Sequence, residues 1–178
     1  PEIACAAAYP TSTNAVMPQY FWQKYENDLR LIGESGRSYD LVLLGDSLTQ
    51  KGMEGSSAAS MNGLADSVLN LGRTGDFVEN LHWRLAGGCL DGYTAKFFNL
   101  LIGTNNTIQK SPSDTPADIA AGVRAVLDLV LEKHPESKVL LMPIIPYGYT
   151  NAQNSAKGAA HYANNEAANE IIKTYADN

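Results

Sequence analysis

Short apolar runs alternate with longer amphipathic stretches along most of this chain. Each run is bounded by turn residues such as glycine, which is typical of a strand buried on both faces of a parallel sheet. The runs lie at residues 40–44, 68–72, 96–103 and 138–145. We therefore predict a strand at each of these places.

Helical spacing of apolar residues fills much of the sequence between those runs. An aromatic stripe predicts a helix over 20–32, and the stripe is more typical of core packing than of a membrane-binding face. Thr115 and Asp118 form a capping-box pattern with Pro116 at the first helical position, followed by an apolar stripe. Further helices are predicted over 76–86 and about 159–176, and residues 52–65 are read as a helix start with a loose connection.

Strands that alternate with helices indicate a parallel sheet with right-handed crossovers. The predicted fold is a three-layer αβα sandwich with a flavodoxin-like sheet, formed by a single domain over residues 1–178. Ligands of such sheets bind beyond the carboxyl ends of the strands. Ser47, Gly72, Asn105 and the 146–158 loop all follow predicted strands, so we expect them on one rim.

Composition excludes several classes of partner. The formal charge is −6, and no cluster of Lys or Arg is present, which argues against nucleic acid and anionic membrane surfaces. No apolar stretch approaches the roughly 20 residues that span a bilayer. The chain has no P-loop, dinucleotide-binding glycine pattern or metal-ligand cluster, so no cofactor is predicted.

The cysteines and the amino terminus bear on the compartment. Cys5 and Cys89 lack the spacing of a zinc site. A disulfide between them is one interpretation, but we favour a terminal thiol at Cys5 and a small buried residue at Cys89. The chain starts at Pro1, and Ala4 to Ala8 are consistent with the remnant of a signal-cleavage region. A secreted or periplasmic location is slightly favoured over a cytoplasmic one, and the oligomeric state does not follow.

A serine stands where the first predicted strand ends. Residues 40–44 run directly into Gly45-Asp46-Ser47, so Ser47 is presented at the rim of the sheet. A turn followed by a helix cap is the alternative interpretation, and it would be preferred if this segment stood alone. Acyl transfer also needs donors aimed at the developing oxyanion. The backbone N–H groups of Ser47 and Gly72 and the side-chain amide of Asn105 are candidates, although Asn105 also suits a turn.

At this point the pattern resembles the SGNH, or GDSL-type, hydrolase family. The resemblance rests on three ordered blocks between residues 39 and 110, namely Gly45-Asp46-Ser47, Gly72 within Asn70–Asp76, and Gly103-Thr104-Asn105. Trp83-Arg84-Leu85 adds a similarity to the platelet-activating-factor acetylhydrolase-like and carbohydrate acetylesterase branch. The resemblance implies Ser47 as nucleophile, with Ser47 N–H, Gly72 N–H and the Asn105 amide as the oxyanion hole.

One family block is absent. No Asp-x-x-His occurs in these 178 residues, and in the family that block supplies the base after a fifth strand. We therefore expect a C-terminally truncated domain whose fourth strand has an unpaired edge. Among the histidines, His161 lies on the correct side of the sheet, but a solvated surface position is the commoner outcome for such a residue. His82 and His134 suit packing and a helix terminus better.

The expected function is that of a serine esterase without a cofactor. It would hydrolyse a short acyl ester, with acetyl favoured, of a carbohydrate or another small molecule through an acyl-enzyme. Asp46, Asn106 and Tyr147 are predicted to border the substrate, Asp46 also shaping the turn; an ordinary polar loop is the alternative for Tyr147. The competing hypothesis is a catalytically incomplete domain that binds an acylated glycan without cleaving it.

Overall fold

The computed structural model describes residues 18–33, 36–52, 67–109, 113–146 and 156–176. The regular elements are, in chain order, α1 (Pro18–Gly33), β1 (Ser38–Gly45), α2 (Ser47–Lys51), β2 (Val68–Asn70), α3 (Val78–Arg84), β3 (Thr94–Leu101), α4 (Thr104–Ile108), α5 (Pro116–Lys133), β4 (Lys138–Leu141) and α6 (Ala156–Ile172). A π-helical turn, Leu85–Cys89, follows α3, and a 3₁₀ turn, Lys173–Tyr175, follows α6.

The strands form a parallel sheet in the order β2-β1-β3-β4. Leu43 of β1 pairs with Asn70 of β2 on one side and with Asn99 of β3 on the other. The parallel sheet flanked by helices, and the three-layer α/β fold, are therefore confirmed. β4 ends at Leu141, four residues earlier than predicted, because Pro143 has no N–H with which to continue the ladder.

Apolar residues of the strands and of the helices packed against them form one hydrophobic core. Val42, Leu44, Phe98 and Leu100 are fully buried on the two central strands. Leu81 of α3 and Val126 of α5 belong to the same cluster. Because β1 and β3 are buried in this way, the loops at their carboxyl ends start from a rigid base.

The first and fifth helices agree with the amphipathic patterns. On α1, Ile32 is buried, while Tyr25 and Leu29 pack against the core. Trp22 remains 40% exposed. Thr115 caps α5, since its Oγ1 accepts a hydrogen bond from the Asp118 N–H at 3.2 Å. Within the described residues, no helix is long and apolar enough to cross a membrane.

His134 ends α5 in an environment that differs from the one predicted. The sequence suggested a cation near the helix terminus, but the ring is buried. It lies against Tyr93 and Phe98, and its Nε2 is 2.9 Å from the Leu90 carbonyl oxygen. Burial lowers the pKa of His134, although the Leu90 carbonyl offsets part of that effect. Burial of the ring therefore favours neutral His134 over the cation that a helix carboxyl terminus would favour.

The outer edge of β4 is open within the described part of the chain. β4 pairs with β3, and no other described strand pairs with it. Leu140 is 58% exposed on this strand. A groove of about 450 Å³ runs along β4 between α5 and Tyr175. The described sheet therefore has the unpaired fourth strand that the sequence predicts.

Candidate active site

Ser47 lies immediately after the tight turn that ends β1. It is the first residue of α2 and is partly exposed. Gly45 permits this turn, because a Cβ atom there would lie 2.2 Å from Thr49 Oγ1 and 2.3 Å from the Leu101 carbonyl oxygen. The nucleophile candidate is therefore held at the carboxyl edge of the sheet by backbone packing.

Asp46 caps the helix that Ser47 begins. Its Oδ1 accepts a hydrogen bond from the Leu48 N–H at 2.9 Å, and its side chain is buried. Burial raises the pKa of Asp46 to about 6; the Leu48 N–H opposes the rise, and the carboxylate of Asp76 adds to it. The predicted turn-shaping role fits this geometry, while a contact between Asp46 and substrate stays a prediction.

The loop after β2 is hydrogen-bonded to α2. Asn70 Nδ2 donates to the carbonyl oxygens of Thr49 and Gln50 at 3.1 and 3.3 Å. Gln50 Oε1 in turn accepts from the Thr74 N–H at 2.7 Å. These bonds bring the second predicted block beside the serine turn, as the parallel topology requires.

Gly72 is buried against α2, and its N–H is already engaged. A Cβ atom at Gly72 would lie 2.5 Å from the Gln50 nitrogen, so glycine is required for this close approach. The Gly72 N–H donates to Asn70 Oδ1 at 2.9 Å. The predicted oxyanion contact from Gly72 stays a prediction, and this conformation does not favour it.

Gly75 has a backbone N–H that sequence reasoning did not consider as a donor. It lies in a turn in which the Asp76 N–H donates to the Arg73 carbonyl at 3.2 Å, and its φ is +83°. Gly75 is partly exposed, and its N–H has no hydrogen-bond partner among the described residues. A glycine directly before an aspartate at the end of this loop was the available signal.

Asn105 is held on α4 beside the same loop. Its Nδ2 donates to the Asp76 carbonyl oxygen at 2.8 Å, and its Oδ1 accepts from Gln109 Nε2 at 2.7 Å. One N–H of the amide remains beyond those bonds. The side chain is therefore oriented by two partners, and an oxyanion contact from its remaining N–H stays a prediction.

Asn106 connects three elements beneath the rim. Its Oδ1 accepts from the Val78 N–H at 3.0 Å. Its Nδ2 donates to Glu79 Oε2 at 3.0 Å and to Asp114 Oδ2 at 2.8 Å. The side chain is completely buried. A substrate contact by Asn106 stays a prediction, and the geometry favours a structural role.

His161 is buried, contrary to the expectation of a solvated surface residue. It is 9% exposed and shares a face of α6 with Asn165, one turn further along. Asn165 Oδ1 accepts from Thr107 Oγ1 at 2.6 Å, so this face of α6 lies against α4. No described carboxylate hydrogen-bonds His161. Its use as a base stays a prediction.

His82 lies on α3, where packing was predicted for it. Its Nδ1 is buried without a hydrogen-bond partner among the described residues, and the neighbouring Glu79 Oε2 accepts from Asn106 Nδ2. Tyr147 and the rest of the 147–155 loop lie outside the described residues. In the part of the chain that is described, no group of three or more His, Cys, Asp or Glu side chains is arranged to hold a metal ion.

Comparison with known proteins adds to this geometry. The family description "GDSL-like Lipase/Acylhydrolase family" matches residues 43–178, which include the serine turn, the β2 loop and Asn105. The chain belongs to this GDSL-like family. The resemblance stated from the three sequence blocks is therefore confirmed.

Relatives of this GDSL-like chain include acetyl-ester hydrolases. Human platelet-activating factor acetylhydrolase IB subunit alpha2 is 24% identical over 142 residues, covering 80% of this chain and 59% of that protein. The chain thus spans about three-fifths of the curated relatives it matches.

Two solved structures share the fold. An acetyl xylan esterase, AlAXEase, matches with a TM-score of 0.60 and 16% identity, covering 76% of this chain and 73% of that one. A carbohydrate esterase of family 3 from Talaromyces cellulolyticus matches with a TM-score of 0.52 and 18% identity, covering 76% and 71%. Both likenesses support the three-layer fold of the GDSL-like family.

Proposed function

We propose that this protein is a serine esterase that removes a short acyl group from a small ester. The observation that carries the proposal is the convergence of three features at one edge of the sheet. These features are the partly exposed Ser47, the Gly75 N–H, which no described residue hydrogen-bonds, and the oriented amide of Asn105. A nucleophile beside preorganised donors is the arrangement that acyl transfer requires.

The reaction proceeds in two steps on Ser47. Ser47 Oγ adds to the ester carbonyl while a base takes its proton, and the donors stabilise the negative oxygen of the tetrahedral intermediate. Collapse of the intermediate breaks the ester C–O bond, and the alcohol leaves with a proton from the base. Water then adds to the acyl-enzyme under the same base, which releases the carboxylic acid and restores the Ser47 hydroxyl.

Gly75 N–H replaces Gly72 N–H as the backbone donor in this proposal. The Gly72 N–H is hydrogen-bonded to Asn70 and is buried, whereas Gly75 lies in a partly exposed turn. The Ser47 N–H and the Asn105 amide complete the set of donors. Removal of one such donor typically lowers kcat by about 10²- to 10³-fold.

The base is proposed to come from the family's Asp-x-x-His block, which these 178 residues do not contain. His161 is the alternative within the chain, because its face of α6 packs on the helix that carries Asn105. A catalytic histidine normally needs a partner that orients its ring. His161 has no hydrogen-bonded carboxylate among the described residues, which favours the first source.

The substrate class is proposed from the named activities of the similar proteins. The platelet-activating factor acetylhydrolase and the acetyl xylan esterase are both described as acting on acetyl groups. We propose an acetyl ester of a carbohydrate or another small molecule. A binding domain for acylated glycans is the second candidate, favoured by the absence of an oriented base around Ser47 within the described residues.

The test is hydrolysis of p-nitrophenyl acetate and of acetylated xylan oligosaccharides by the complete gene product. Ser47→Ala is compared with Ser38→Ala, since Ser38 is an exposed serine at the start of β1, the strand that leads to Ser47. We expect loss of hydrolysis only in Ser47→Ala. Equal hydrolysis by the two variants would refute the esterase proposal. Binding of the acetylated oligosaccharide without turnover would support the second candidate.

A further inference from the structure

Arg84 is the largest side chain that is fully buried in the described part of the chain. It ends α3, one side of which packs on the core. Burial of an arginine costs free energy unless its guanidinium finds charged and polar partners. The oxygen atoms that accept hydrogen bonds from Arg84 belong to Leu71 and Asp76, between β2 and α3 and beside the candidate active site, while Nη1 is buried without a hydrogen-bond partner among the described residues.

The guanidinium contacts both ends of that loop. Nε and Nη2 donate to Asp76 Oδ2 at 3.0 and 2.5 Å. Nη2 also donates to the Leu71 carbonyl oxygen at 3.0 Å. Leu71 immediately precedes the four-residue segment 72–75, and Asp76 immediately follows it. One rigid planar group therefore holds the two residues that flank this segment.

Two of the three oxyanion donors of the proposed mechanism, the Gly75 N–H and the Asn105 amide, depend on this segment. Gly75 immediately precedes Asp76, so the position of Asp76 sets where the Gly75 peptide lies. The Asp76 backbone carbonyl accepts the Asn105 Nδ2 hydrogen bond at 2.8 Å and thereby orients that amide. A displacement of Asp76 would therefore move the Gly75 N–H and the Asn105 amide together.

A purely stabilising ion pair would not need this arrangement. The Asp76 carboxylate alone would satisfy the charge, yet Nη2 is shared with the Leu71 carbonyl. Lysine carries one compact ammonium and cannot present the planar fork to both partners. Replacement of Arg84 by lysine would therefore keep the positive charge but lose the simultaneous hydrogen bonds to Leu71 and Asp76.

We propose that Arg84 is a positioning residue for the oxyanion hole, acting on Gly75 and Asn105 through Leu71 and Asp76. Arg84 itself does not touch the substrate in this proposal. The inference rests on the proposed esterase function for its kinetic consequence, but not for its structural one. One test therefore measures catalysis, and a second measures the positions of Gly75 and Asn105 without catalysis.

The kinetic test compares Arg84→Lys with Val130→Ala, a fully buried apolar position on α5. We expect Arg84→Lys to lower kcat for p-nitrophenyl acetate by about tenfold to a hundredfold, with KM within about twofold, because the donors act mainly in the transition state. Val130→Ala is expected to lower the unfolding temperature while leaving kcat nearly unchanged. An unchanged kcat in Arg84→Lys would overturn the proposal.

The structural test needs no activity. In ¹H–¹⁵N spectra, we expect Arg84→Lys to shift the Gly75 backbone signal and the Asn105 side-chain signals, and Val130→Ala to leave them in place. If Arg84→Lys does not fold, Asp76→Asn removes the carboxylate that Arg84 contacts, and the same signals are expected to move. Unmoved signals in the folded variant would refute the positioning role. Inactivity of the wild-type gene product would refute the esterase function alone.

Discussion

Replacement of Asp46 by Asn isolates the electrostatic cost of the helix cap next to Ser47. Asp46 is 2% exposed, and its Oδ1 accepts a hydrogen bond from the Leu48 N–H at 2.9 Å. An asparagine Oδ1 can accept the same bond, and asparagine caps helices as well as aspartate does. The substitution therefore removes the titratable group while keeping the cap.

The magnitude follows from the pKa of the buried carboxyl. Burial raises the pKa of Asp46 from 3.8 to about 6, so the folded protein binds this proton more tightly than the unfolded chain. Stability from this group is complete below about pH 4 and is lost as the pH rises through about 6. At about 1.4 kcal/mol per pKa unit, the loss is about 3 kcal/mol.

The assay is urea denaturation of the wild type and Asp46→Asn at pH 4 and pH 7, followed by far-UV circular dichroism. We expect the unfolding free energy of Asp46→Asn, relative to the wild type, to rise by about 2.4 kcal/mol between these pH values, because the carboxyl of the unfolded chain is already partly ionised at pH 4. Asp128→Asn is the control, because Asp128 is an exposed carboxylate on α5. The same relative change in Asp128→Asn, or none in Asp46→Asn, would refute the reasoning.

Three further predictions concern neighbouring groups. Gly72→Ala should lower the unfolding free energy by about 1–3 kcal/mol, because the added Cβ would press on the Gln50 nitrogen. Urea denaturation measures the change, and Gly33→Ala is the control because a Cβ at Gly33 meets no atom within 4 Å. Asn105→Ala should reduce kcat for p-nitrophenyl acetate by about 10²- to 10³-fold, and a reduction below threefold would exclude an oxyanion role. His161→Ala in the complete gene product should retain Ser47-dependent hydrolysis; its loss in a folded variant would instead identify His161 as the base.

The sequence predicts the fold well because the signals for strands, helix caps and turns lie within short segments of the chain. Continuous apolar runs such as 40–44 identify buried strands without any knowledge of their neighbours. The cap at Thr115 and the turn at Gly45 follow from side-chain chemistry and close approach. The boundaries of β3 and β4 shift by a few residues, since pairing with adjacent strands sets where each ladder ends.

The site is predictable only in part because its donors are defined by tertiary contacts. Gly72 and Gly75 lie three residues apart in one loop, and their sequence context does not reveal that the Asn70 side chain occupies the Gly72 N–H. The burial of His161 likewise depends on the contact between α6 and α4. Arg84 appears in the sequence as one polar residue on a helix, while its two loop partners are visible only in the fold.

The central claim is that Ser47 is the nucleophile, and covalent trapping tests it most directly. The complete gene product is treated with diethyl p-nitrophenyl phosphate, which phosphorylates nucleophilic serines, and the modified peptide is sequenced by mass spectrometry. We expect one diethylphosphoryl group on Ser47 and no adduct in Ser47→Ala. An unmodified Ser47, or an adduct on another residue that persists in Ser47→Ala, would contradict it.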